Sequence, residues 1–131
     1  MDLRAHVAAL RPEIDAALAR VLDSGRFILG PEGEALEAEL AERVGAAHCV
    51  AVANGTEALQ LALEALGLGR GDEVVTSPLS AAFTVLAILR AGARPVFADV
   101  DPKTLNIAPE AVARALTART KAVMPVHLYG H

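Results

Sequence analysis

The sequence predicts an α/β protein in which parallel strands are covered by helices on both faces. Three observations carry that reading. From residue 47 onward, short continuous apolar runs alternate with amphipathic segments of helical period. Such runs mark strands buried on both faces, the pattern of a parallel sheet. The connections between runs have crossover length, which parallel strands require, and glycines and prolines stand at the joints.

Each element follows in order. Ile14, Ala17, Leu18, Val21 and Leu22 recur at helical spacing, and Ser24-Gly25 supplies a C-terminal stop. A loop from Arg26 to Pro31 leads into a second helix with Leu36, Leu40 and Val44 on one side, closed by Gly45. Glu32 and Glu34 suit the positive amino end of that helix, and its glutamates as a group read as a solvated face. These two helices, residues 1–46, form an N-terminal arm; residues 47–131 form the α/β portion.

There the run Cys49–Ala53 predicts a first buried strand, with Cys49 buried and inert in its middle. Asn54-Gly55 turns the chain into a helix from Thr56 to Leu66, with Leu59, Ala62, Leu63 and Leu66 inward. Glu73–Thr76 is a second strand. Ser80 caps a helix through Arg90 that is apolar nearly all round and is expected to be buried between layers. Pro95–Ala98 is a third strand, Pro109 opens a short helix, and Lys121–Val126 is a fourth strand. The chain stops five residues later, at the strand end where sheets of this kind bind ligands, so it reads as part of something longer.

Composition excludes several classes. One cysteine permits neither an internal disulfide nor a cysteine-based zinc cluster. A net charge of −4 without any basic run argues against nucleic acid or an anionic membrane as partner. The longest apolar stretch, Ala81–Leu89, is far short of the ~20 residues that span a bilayer, and no signal peptide opens the chain. The expectation is a cytoplasmic protein.

The candidate chemistry lies at Asn54-Gly55-Thr56-Glu57-Ala58-Leu59, which joins a buried strand to a helix. Glycine lets a ligand approach the backbone. The amides of Thr56, Glu57 and Ala58, the Thr56 hydroxyl and the helix dipole together suit a phosphate. A plain turn capped by Thr56 or Asn54 is the alternative. The turn is neither a Walker A loop nor a dinucleotide fingerprint. Asp99 and Asp101 suggest paired carboxylates for acid–base work, or simply an Asp-Pro turn. His127 and His131 have no third ligand close in sequence, so no metal site is expected.

Taken in order, that turn, Leu66-Gly67-Leu68-Gly69-Arg70-Gly71-Asp72-Glu73-Val74-Val75, Gly92 through Pro102, Thr120 through Gly130, and the leading Ser24 through Gly30 resemble the nucleotide-sugar aminotransferases of the DegT/DnrJ/StrS type. The resemblance covers essentially the whole chain. It implies the three-layer, mostly parallel large domain of the aspartate-aminotransferase-like fold, here incomplete with four strands. It also implies pyridoxal phosphate as cofactor, glutamate and a nucleotide-linked keto-deoxysugar as substrates, and a homodimer with active sites at its interface. The cofactor phosphate would lie on Gly55, Thr56 and Glu57. The ring-stacking aromatic of the family falls at Ala81, which leaves Phe83 as a candidate stacking residue or a core residue.

The resemblance further implies that the second to fourth strands pair with one another, whereas Cys49–Ala53 would pair only with a strand beyond the chain. The Schiff-base lysine also lies beyond the chain end, so no catalytic residue is expected here. Neither Lys103 nor Lys121 matches the catalytic motif. Three readings stay open: the N-terminal part of such an aminotransferase, completed by further sequence or a second chain; a non-catalytic remnant or regulator; and part of a related sugar dehydratase.

Overall fold

The computed structural model describes residues 2–130. The chain forms two compact units, Met1–Ala51 and Val52–His131.

The first unit holds α1 (Leu3–Ser24) and α2 (Pro31–Val44). Asp2 caps α1, its carboxylate accepting from the amides of Arg4 and Ala5 at 3.0 and 3.3 Å. Both helices end on a left-handed glycine, Gly25 at φ 63° and Gly45 at φ 68°, where a side chain would be strained. Of the two helices only Ala41 is fully buried. Leu36, Leu40 and Val44, the apolar side of α2, stand exposed. The α2 glutamates are not merely solvated: Glu32 pairs with Arg20 at 2.6 Å and Glu37 accepts from the Ala51 amide at 2.7 Å.

The second unit holds α3 (Gly55–Ala65), β1 (Glu73–Thr76), α4 (Phe83–Arg90), β2 (Arg94–Phe97), α5 (Pro109–Ala115), β3 (Thr120–Met124) and a 3₁₀ turn at Leu128–Gly130. The sheet is wholly parallel, in the order β2-β1-β3. The chain steps from β1 out to β2, then back across β1 to β3. Crossovers of one hand that travel in opposite directions must use opposite faces. Accordingly, Val74 packs with Leu63 and Ile88 from α3 and α4, while Val75 packs with Ala98, Ala108 and Ala111 on the α5 side. This is the three-layer α/β arrangement, and all four β1 residues are buried.

Five expectations are corrected. The run Cys49–Ala53 is not a strand. A strand exists through its ladder, and among the described residues none pairs with these five; the Ala51 amide goes to Glu37 instead. The sheet therefore has three strands, not four, and Cys49 is half-buried rather than interior. Ser80 does not cap the fourth helix, which starts at Phe83; its hydroxyl bonds that of Thr84 at 3.0 Å instead of an amide. Finally, α4 buries only one face, through Thr84, Ala87 and Ile88. Phe83, Leu86 and Leu89 remain exposed, since α3 and the sheet cover one side of it.

Candidate functional site

The amino end of α3 is set by Asn54. Its backbone is extended (φ −163°, ψ 167°), and its Oδ1 accepts the Glu57 amide at 3.0 Å. Its carbonyl accepts the Ala58 amide, also at 3.0 Å. Two of the three amides expected to face an anion are therefore already used, that of Glu57 by the asparagine cap and that of Ala58 by the first backbone bond of the helix. The donors left at this helix end are the amides of Gly55 and Thr56, which carry no hydrogen bond among the described residues. A Cβ added at Gly55 would meet nothing within 4 Å, so the approach is open.

The residues that carry these donors line a cleft of about 840 Å³ between α3 and α4. Gly55, Thr56 and Leu59 line one side; Phe83, Leu86 and Arg90, one face of α4, line the other. The structure thus brings Gly55, Thr56 and Phe83 together and leaves Glu57 outside the lining. Phe83 is 60% exposed and belongs to the cleft wall rather than the core. Arg90 is a cleft residue that sequence reasoning missed. Its position seven residues after Phe83 on an amphipathic helix was the available signal.

The donor set fits a phosphate: two free amides, a threonine hydroxyl and the positive end of an 11-residue helix. The end of β1 carries buried hydroxyls. Thr76 Oγ1 donates to the Met124 carbonyl at 2.8 Å, and Ser77 Oγ accepts the Leu79 amide at 3.0 Å.

The other polar candidates lie apart. The Asp101 carboxylate accepts the amides of Thr104 and Lys103 at 2.9 and 2.8 Å, and these bonds, that of Thr104 foremost, hold its carboxyl below the usual range. It closes a turn, and Asp99 is exposed beside it. His127 is exposed after β3, and His131 lies outside the described residues. Among the described residues no three metal-ligating side chains cluster, and no helix is long and apolar enough to cross a membrane. Lys121 lies in β3 near its amino end and Lys103 in the Asp101 turn; neither lines the cleft. A smaller hollow of about 360 Å³ in the first unit is flanked by Arg20 and Glu32, which neutralise each other.

At the opposite end of the sheet lies a cluster that was not foreseen. Glu73, the first residue of β1, is 1% exposed at its side chain and pairs with Arg94 and, at 2.7 Å, with Arg119. Thr117 Oγ1 donates to its other oxygen at 2.7 Å. The Thr117 hydroxyl first, then Arg94 and Arg119, hold the Glu73 carboxyl down to about 2. A glutamate heading a fully buried strand, with one arginine opening β2 and another just before β3, was the signal in the sequence.

Comparison with known proteins gives the context. The model of the DegT/DnrJ/EryC1/StrS aminotransferase family matches residues 8–131. The chain is 47% identical over 130 residues to a UDP-2-acetamido-2-deoxy-3-oxo-D-glucuronate aminotransferase of Pseudomonas aeruginosa, covering 99% of this chain and 36% of that protein. It is 48% identical over 131 residues to a dTDP-3-amino-3,4,6-trideoxy-alpha-D-glucose transaminase of Streptomyces venezuelae, covering 100% of this chain and 35% of that one. The chain therefore spans about a third of the length of these curated relatives. An X-ray structure of S. venezuelae DesV in complex with a ketimine intermediate superposes with a TM-score of 0.94 at 48% identity, over 99% of this chain and 35% of that one. NtdA from Bacillus subtilis, with bound cofactor PMP, superposes with a TM-score of 0.86 at 38% identity, over 91% of this chain and 27% of that one. This chain belongs to the DegT/DnrJ/EryC1/StrS aminotransferase family.

Proposed function

We propose that the chain supplies the phosphate-binding part of a pyridoxal-phosphate-dependent aminotransferase that moves an amino group from glutamate to a nucleotide-linked keto-deoxysugar. The observation that carries this is the pair of unpartnered amides at Gly55 and Thr56, two residues that line the α3–α4 cleft, in a chain of this family. The sugar-nucleotide names of the relatives support the substrate class. A cytoplasmic location and a homo-oligomer are the matching expectations.

When bound, pyridoxal phosphate supplies the electron sink for amino transfer. The residues here bind and orient it. Gly55 and Thr56 hold the phosphate through their amides, and the Thr56 hydroxyl adds a donor. Glu57 contributes by closing the cap through its amide rather than by touching the anion. Phe83 offers an apolar wall for the ring from across the cleft. No lysine of this chain reaches the cleft, so the amine that anchors the cofactor comes from elsewhere in the active enzyme.

The test is cofactor binding without attachment. Pyridoxal phosphate should bind this chain reversibly, and borohydride reduction should label neither Lys103 nor Lys121 stoichiometrically. Failure to bind, or specific labelling of either lysine with turnover, would overturn the reading.

A further inference from the structure

Among the described residues, the buried polar side chains are Glu73, Thr76, Ser77 and Thr84. Glu73 belongs to the ion cluster at the amino end of the sheet. The other three are hydroxyls within nine residues, all at or just after the carboxyl end of β1. Burying a hydroxyl is costly unless it is bonded, and valine or alanine would fill the same space without that requirement. What a bonded hydroxyl adds is a fixed direction.

Each of these hydroxyls fixes a different joint. Thr76 donates to the Met124 carbonyl at 2.8 Å, tying the ends of β1 and β3 where the two chains part. Ser77 holds the Leu79 amide at 3.0 Å and so sets the turn that leaves the sheet. Thr84, in the first turn of α4, bonds Ser80 at 3.0 Å and pins that turn to the start of the helix. The segment held in this way, residues 77–82, delivers Phe83 to the cleft opposite Gly55 and Thr56. The helix it opens packs against α3 through Ile88 and Leu63.

We infer that Thr76, Ser77 and Thr84 are positioning residues for the ligand in the α3–α4 cleft: they set where the Phe83 wall stands relative to the phosphate donors of α3. This deepens, and rests on, the cofactor reading above.

The test titrates pyridoxal phosphate into the full chain and reads binding from the circular dichroism induced in the cofactor band, with the thermal midpoint measured alongside. Thr84→Val and Ser77→Ala should each weaken binding about fivefold to tenfold, the effect of one buried hydrogen bond. Thr84→Ser, which restores the hydroxyl, should return to within about twofold of the wild type. Wild-type affinity in Thr84→Val, or a Thr84→Ser variant as weak as Thr84→Val, overturns the inference. If Ser77→Ala does not fold, the Thr84 pair decides alone. A wild type that gives no induced signal removes the reading of the site itself, and with it this inference; a wild type that binds while Thr84→Val binds equally well removes the inference only.

Discussion

At the amino end of the sheet, Glu73 gathers two guanidinium groups and a threonine hydroxyl around one buried carboxylate. At the carboxyl end of the same strand, Thr76 and Ser77 make neutral bonds to backbone, and the neighbouring helix keeps two amides free. One end spends its charge on itself. The other holds its geometry with neutral groups and leaves its donors open. A ligand needs unspent donors, and a fold needs spent ones, so the two roles separate along a four-residue strand.

The largest expected effect comes from removing the charged end. Glu73→Ala leaves Arg94 and Arg119 facing each other with no carboxylate between them. The thermal midpoint should fall by about 10 °C or more, a core-disrupting change in a domain of this size. Phosphate affinity of the folded fraction should stay as in the wild type. A loss of affinity equal to the loss of stability would show that the two ends are not separate.

Acid should act on the same end. The Glu73 carboxyl sits at about 2 in the fold against an ordinary 4.5. Its contribution is therefore complete above 4.5. As pH falls, the unfolded chain takes up the proton first, and the contribution is lost as pH drops toward about 2. Denaturant titration across that window should show declining stability in the wild type and a flatter response in Glu73→Gln. Parallel curves would assign the acid sensitivity to other carboxylates.

The smallest and most selective effect belongs to the open end. Gly55→Pro removes one free donor at the first helical position, where proline is tolerated, and Asn54 already has the extended backbone that a following proline requires. Phosphate should bind about fivefold more weakly, with the thermal midpoint unchanged or slightly raised. Unchanged affinity would mean the anion sits on other groups.

How much of this the sequence disclosed depended on whether the pattern was local. The buried run Glu73–Thr76 and the proline opening α5 were legible because period and punctuation are properties of neighbouring residues. Cys49–Ala53 has the same composition as a buried strand, yet strand formation is decided by a partner, which composition does not contain. At the site, Gly55 and Thr56 were readable from the turn. Asn54 was one of the two caps the turn offered; the choice between Asn54 and Thr56 was not readable, because either side chain can cap or turn outward. The Glu73 cluster joins residues 21 and 46 positions apart, beyond any periodicity.

Pro95 carries a consequence for assembly. Along β2 the amides of Arg94 and Ala98 point inward to the carbonyls of Asp72 and Thr76. The alternate residue between them, Pro95, therefore directs its nitrogen to the outer edge, where it has no hydrogen to offer. That edge is incapable of a complete ladder with any newcomer, whereas the β3 edge bears no such gap. The two edges are consequently unequal: a strand added beside β2 would lack one ladder bond that a strand beside β3 would not. One imino acid thus makes the two sides of the sheet differ in what they offer a further strand.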